Sequence, residues 1–300
     1  MTGDAAISWL ARGGAIAAAV AALELLWVRR AMANTGVFAW PVLRAELAAA
    51  PVWVRAPADR VMSYRGIVVV LVVQLASALA LPWLAHPVLP WLVLSCALVV
   101  AIRFRGTYNG GSDAMLVVVM IALGVARSAP SLAIDELAAG ALTTGSLSAG
   151  GLTADELAAG RLAAAGPPAG AFAASGLAAA GLAYAAAQLV LSYFIAGIAK
   201  LRDPAWRAGR AMPVLVRLPQ YRVPAWTAAV LSRPVIARLA TWSILAFECS
   251  FPPVFAHPTI CHALLICGAG FHLANAIVFG LNRFLWTWLA AYPALLYWAG

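Results

Sequence analysis

The chain is predicted to be all-α: a polytopic integral membrane bundle of about eight transmembrane helices. Composition comes first. Hydrophobic residues make up 64% of the 300 positions and charged residues only 10%, whereas a soluble domain carries charge at about a quarter of its positions. The apolar excess is gathered into separate runs, several of which reach the roughly twenty residues needed to cross hydrocarbon. None of these runs alternates as a barrel strand would. Backbone groups in lipid must be paired internally, so the spans are helices.

The first run, Ile7 to Val28, is too long and continuous for a simple export signal, has no convincing small-residue cleavage site and follows acidic Asp4, so it reads as a retained helix. It holds Arg12 and Glu24, which stand about 18 Å apart along a helix and are too distant to pair with each other. A basic connection follows, with Arg29, Arg30, Arg44, Arg55, Arg60 and Arg65 among Pro41, Pro51 and Pro57. The runs Ile67 to Leu84 and Val88 to Ile102 come next, then a tight connection from Arg103 to Asp113 that contains Tyr108, Asn109 and the Gly110-Gly111 pair. Its glycines allow backbone amides to approach a ligand closely, and Asn109 can both donate and accept.

The run Ala114 to Ala126 leads into an extramembrane insertion at about 128–170. There IDELAAGALTTG and ADELAAGRLAAAG form a local repeat, read as two short surface helices with acidic N-termini. The run Ala171 to Ala199 ends at Lys200, and a basic, proline-rich connection covers about 202–238. Its five prolines forbid a long helix. Trp206, Tyr221 and Trp226 lie between arginines, a mixture suited to the headgroup layer. The last runs are Val235 to Phe247, Ile260 to Leu281 and Phe284 to Tyr297.

Formal net charge is +9. The arginines concentrate in alternate connections, which is the positive-inside pattern of a multi-pass protein of a cell inner membrane. No nucleic-acid module accompanies them, so membrane lipid is the expected partner and nucleic acid is not. This pattern places both chain ends outside, Lys200 near the cytoplasmic face and Glu248 near the outer face. Cys96, Cys249, Cys261 and Cys267 fall in or near apolar runs without metal-ligand spacing, and they read as packed side chains. His262 and His272 are about 15 Å apart on one helix and do not form a metal clip, so no metal is expected.

Lys200 is the one lysine beside nineteen arginines. Arginine keeps its proton in a protein, whereas a lysine can be tuned to lose it. A neutral amine at a membrane edge is one reading of that position; a snorkelling anchor is the other. His272 is a candidate for proton handling or for hydrogen bonding to a quinone, and Asn275 can share its helix face. Asp113 and Glu248 are costly polar groups at the ends of apolar runs and are either functional or packing contacts.

The stretch YFIAGIAKLRDPAW, with the following RAG, resembles the signature of the horizontally transferred transmembrane (HTTM) domain family, which includes the vitamin K-dependent gamma-glutamyl carboxylases. FHLANAIVFGLNRFLWTWLAAYPALL and TYNGGSD are also similar to segments of that family, and together these segments cover most of the chain. The resemblance implies a single transmembrane domain over 1–300, with Lys200 matching the catalytic base. It also implies a reduced quinone, menaquinol or vitamin K hydroquinone, as cofactor, and carboxylation of a glutamyl side chain in a secreted peptide as the model reaction. On that reading the catalytic candidates are Lys200, His272 and Asn109. The cofactor-binding candidates are Tyr108, Tyr193, Trp206 and Asn275. The sequence departs from the carboxylases in having no histidine near Asn109 to Ser112. The expected function is a membrane-embedded quinol-dependent or peptide-modifying enzyme. Two other classes remain open: a non-enzymatic maturation, export or immunity factor for a secreted peptide, and a small-molecule transporter.

Overall fold

The computed structural model describes residues 1–47, 51–104, 110–128 and 169–299. Tyr108, Asn109 and both copies of the acidic repeat lie outside the described residues. Each of the eight apolar runs is a helix: α1 (Gly3–Trp27), α2 (Tyr64–Ala80), α3 (Val88–Phe104), α4 (Gly110–Arg127), α5 (Ala169–Arg202), α6 (Pro234–Cys249), α7 (Pro258–Phe279) and α8 (Asn282–Ala299). No strand occurs among the described residues. By length and hydropathy three of these helices can cross a membrane, namely α1, α5 from Gly176 onwards, and α7. The number rises to five if Val52–Val61 with α2, and Ala225–Leu231 with α6, each make one bent span.

Local chemistry sets the helix ends. Thr2 accepts from the Ala5 N–H and Ser63 from the Gly66 N–H, which caps α1 and α2. Proline occupies the first position of α6 and of α7, where no intrahelical N–H partner is lost. Gly280 ends α7 at φ +70°, a left-handed conformation that costs glycine nothing. The proline-rich connection breaks into short helices at Pro204–Arg207, Ala211–Leu215 and Ala225–Leu231, as its spacing requires.

α1 and α8 run antiparallel at the centre. Gly3 faces Tyr297, Gly13 faces Ala290 and Glu24 pairs with Arg283. A Cβ at Gly13 would lie 2.7 Å from the Ala290 Cα, so the two backbones approach through small residues, as helices do in lipid. Gly181 does the same for α5 against α4, where an added Cβ would meet the Ala122 carbonyl at 2.4 Å. The main core joins Leu10, Ala18, Met120, Leu123, Leu182, Leu189, Ala291 and Leu295. Large apolar side chains such as Ile195, Ile266 and Ile277 face outwards, 61%, 72% and 72% exposed. An outer surface of this kind suits lipid and not water. The protein is a helical membrane protein.

Candidate functional site

Tyr193, Gly197 and Lys200 are spaced i, i+4 and i+7 on α5, so they share one face near its end. Gly197 lets the C-terminal end of α6 come close: a Cβ there would sit 2.8 Å from the Cys249 Sγ and 3.0 Å from the Cys249 N and the Glu248 Cβ. That approach puts Glu248 within reach of Lys200. The amine Nζ donates to Oε1 at 2.8 Å and to Oε2 at 2.7 Å. The Lys200 side chain is 23% exposed and that of Glu248 5%. Asp203 accepts from the Ala205 N–H and starts the short helix Pro204–Arg207, which holds the Trp206 ring 5.5 Å from Nζ.

This arrangement corrects the charge-based placement of Lys200 and Glu248 near opposite faces. The two groups touch. α6 does not carry Glu248 away, because its N-terminal end packs at Gly209, where a Cβ would lie 2.9 Å from the Arg238 Cα, and its C-terminal end packs at Gly197. α6 therefore runs back beside the end of α5 and the segment that follows. A buried carboxylate stripped of water needs a cation, and that pairing outweighs a simple alternation of spans.

A second cluster lies about 10 Å along α5, two turns before Lys200. The Tyr193 hydroxyl is hydrogen-bonded to His272 Nε2 and lies 3.1 Å from the Tyr292 hydroxyl. Gly268, one turn before His272 on α7, makes room for these groups, since a Cβ there would meet the Tyr292 hydroxyl at 2.3 Å. Aromatic rings close the cluster. Phe251 stacks on Tyr193 at 3.9 Å, Trp288 stacks on His272 at 5.0 Å, and Phe247 and Phe284 present edges or tilted faces. His272 is fully buried. Among the described residues, its Nδ1 and the Trp288 Nε1 are buried without a hydrogen-bond partner.

The fold thus joins Lys200 with Trp206, and Tyr193 with His272. Asn275 instead donates to the Phe271 carbonyl of its own helix at 2.8 Å. The partnership of Glu248 with Lys200, and the presence of Tyr292, Trp288, Gly197 and Gly268, were not read from the sequence. One signal was available: Tyr193-Xaa3-Gly197 and Gly268-Xaa3-His272 are two polar-glycine pairs at helical spacing, the mark of helices packed closely around polar groups.

Asp113 and Glu24 belong to a different junction. Arg283 at the start of α8 reaches Asp113 at 3.3 Å and Glu24 at 3.4 Å, tying α8 to α4 and α1. Arg12 is not part of it and lies 5.2 Å from the Trp9 ring.

No curated protein and no solved structure matches the chain. Residues 177–298 hold Lys200, Glu248, Tyr193, His272, Trp288 and Tyr292 but leave out Glu24 and Asp113, and it is this stretch that matches the family described as the HTTM domain, a domain associated with the membrane part of vitamin K-dependent carboxylases.

Proposed function

We propose that this protein is a multi-pass enzyme of a bacterial inner membrane that modifies a quinol or a peptide side chain, with Lys200 as base and Glu248 as its proton partner. The observation that carries this reading is the two-pronged Lys200–Glu248 contact at a mostly buried position. Passing one proton from Nζ to a carboxylate oxygen turns ammonium and carboxylate into amine and carboxylic acid. The pair stays neutral in total throughout, so the transfer does not strand a lone charge in a poorly hydrated site. The freed amine then holds a lone pair that can take a proton from an acidic O–H or C–H.

The chemistry of the aromatic cluster supports a quinol as the cofactor. Its walls are flat, and two buried ring nitrogens, His272 Nδ1 and Trp288 Nε1, are without partners among the described residues and suited to an oxygen. A quinol, when bound, would supply the acidic hydroxyl. The Tyr292–Tyr193–His272 chain would orient it and carry its hydrogen bonds, while Phe247, Phe251 and Phe284 keep water out. A secreted peptide is the proposed partner of the modifying step.

Lys200→Arg tests the base. Arginine retains the charge and the ion pair with Glu248 but has no neutral form at working pH. The variant should fold and extract from membranes as the wild type does, and its turnover of quinol should fall by at least about a hundredfold. Full activity in that variant removes the base role and leaves Lys200 as an anchor.

A further inference from the structure

We propose that Arg103 is the centre of an oxyanion site that takes the phosphate of an anionic phospholipid. Arg103 lies at the end of α3 and is 1% exposed. Its Nη2 donates to the Phe38 carbonyl at 2.9 Å and reaches the Met32 carbonyl at 3.5 Å. Its Nε and Nη1 are equally buried and have no hydrogen-bond partner among the described residues. The Trp40 and Phe104 rings flank the guanidinium at 5.7 and 5.5 Å. Among the described residues no carboxylate stands within ion-pair distance of it.

Arg283 is 2% exposed, nearly as buried, and it sits between two carboxylates. Carbonyl dipoles and ring faces give Arg103 only partial negative charge. A full cation without a counter-ion is costly at that depth, and the Nε and Nη1 donors left over by the carbonyl contacts of Nη2 each suit an oxyanion oxygen.

The surroundings indicate where the phosphate comes from. The segment covering Arg103 contains the short helices Arg29–Met32 and Trp40–Leu43 and the helix Val52–Val61. Together with the adjoining end of α1 it presents Trp27, Val37, Val42 and Trp53 outwards, from 69% to 87% exposed, between arginines. Aromatic and aliphatic side chains among arginines mark the headgroup level of a bilayer, where lipid phosphates lie. Arg55 in the same cover has a second buried, unpartnered guanidinium nitrogen, its Nε. The nearby carboxylate of Asp59 is engaged elsewhere, accepting from the Trp40 Nε1 at 2.8 Å and meeting the Arg44 Nε at 3.5 Å.

The test places the full chain in nanodiscs of phosphatidylcholine alone or with phosphatidylglycerol, and reads thermal unfolding. Phosphatidylglycerol should raise the wild-type midpoint by about 2–4 °C. Arg103→Gln should lose that lipid-dependent shift, whereas Arg29→Gln should keep it. An equal drop for Arg103→Gln in both lipids, with the shift unchanged, overturns the site and leaves Arg103 as an anchor for the Phe38 carbonyl. Inorganic phosphate added to phosphatidylcholine discs separates the sources: a full shift from phosphate alone overturns the lipid assignment. Should Arg103→Gln fail to fold, native mass spectrometry of the wild type decides. One phosphatidylglycerol retained per chain supports the site, and equal retention of the two lipids overturns it.

Discussion

Arg283 and Lys200 are both cations drawn out of water, but their settings differ. Arg283 is 2% exposed, shares its charge between Glu24 and Asp113, and joins three helices that are distant in sequence. Lys200 is 23% exposed and meets one carboxylate through both oxygens, on two helices that touch at Gly197. The first junction cannot release a proton because a guanidinium keeps its own. The second can pass a proton between its members with no change of total charge. One is therefore a clamp, and the other is the pair proposed to carry the chemistry. The HTTM match falls across this division, taking in both members of the Lys200 pair and, of the clamp, Arg283 alone.

The comparison is broken most severely at the clamp. Arg283→Met leaves Glu24 and Asp113 without their shared cation, and the fold should lose about 3–4 kcal/mol, less a discount for the partly exposed Glu24. Thermal unfolding in detergent measures this, and a loss near zero would mean that the junction does not hold α1, α4 and α8 together.

A double-mutant cycle sharpens it. Lys200→Met with Glu248→Met should show a coupling of about 1 kcal/mol, because the lysine keeps some water contact. The cycle of Arg283→Met with Asp113→Leu should show at least twice that. If the two couplings come out equal, Lys200 and Glu248 are a second clamp, and the distinction between the junctions is lost.

The smallest expected effect is that of Tyr193→Phe. It removes one hydroxyl from the Tyr292–Tyr193–His272 chain while keeping the stack on Phe251. Stability should fall by only about 1 kcal/mol. Turnover should drop by more than that loss explains if the chain orients substrate, and kcat compared with unfolding midpoint separates the two effects.

How much of this was legible in advance depends on range. Hydrophobic runs are local, so all eight helices could be placed from them, and so could the broken backbone between Pro204 and Pro234. Lys200 stood out because its chemistry differs from that of the arginines used elsewhere. Tyr193 and His272 were each noticed, but their contact spans 79 residues and depends on two glycines whose value lies in what they leave room for. The positive-inside rule counts charges between spans and takes each apolar run as a full crossing. α6 meets Ala225–Leu231 at a bend of 82° and returns beside α5, so the count put Lys200 and Glu248 on different sides.

The amino-acid order by itself determined that this is a helical protein for a membrane, since hydrophobicity and proline act over neighbouring residues and need no distant partner. Only the tertiary structure decided which charge meets which. Glu248 reaches Lys200 across 48 positions and Asp113 reaches Arg283 across 170. Those distances close because backbones approach at glycines and because a charge removed from water binds the nearest opposite charge the packing brings to it.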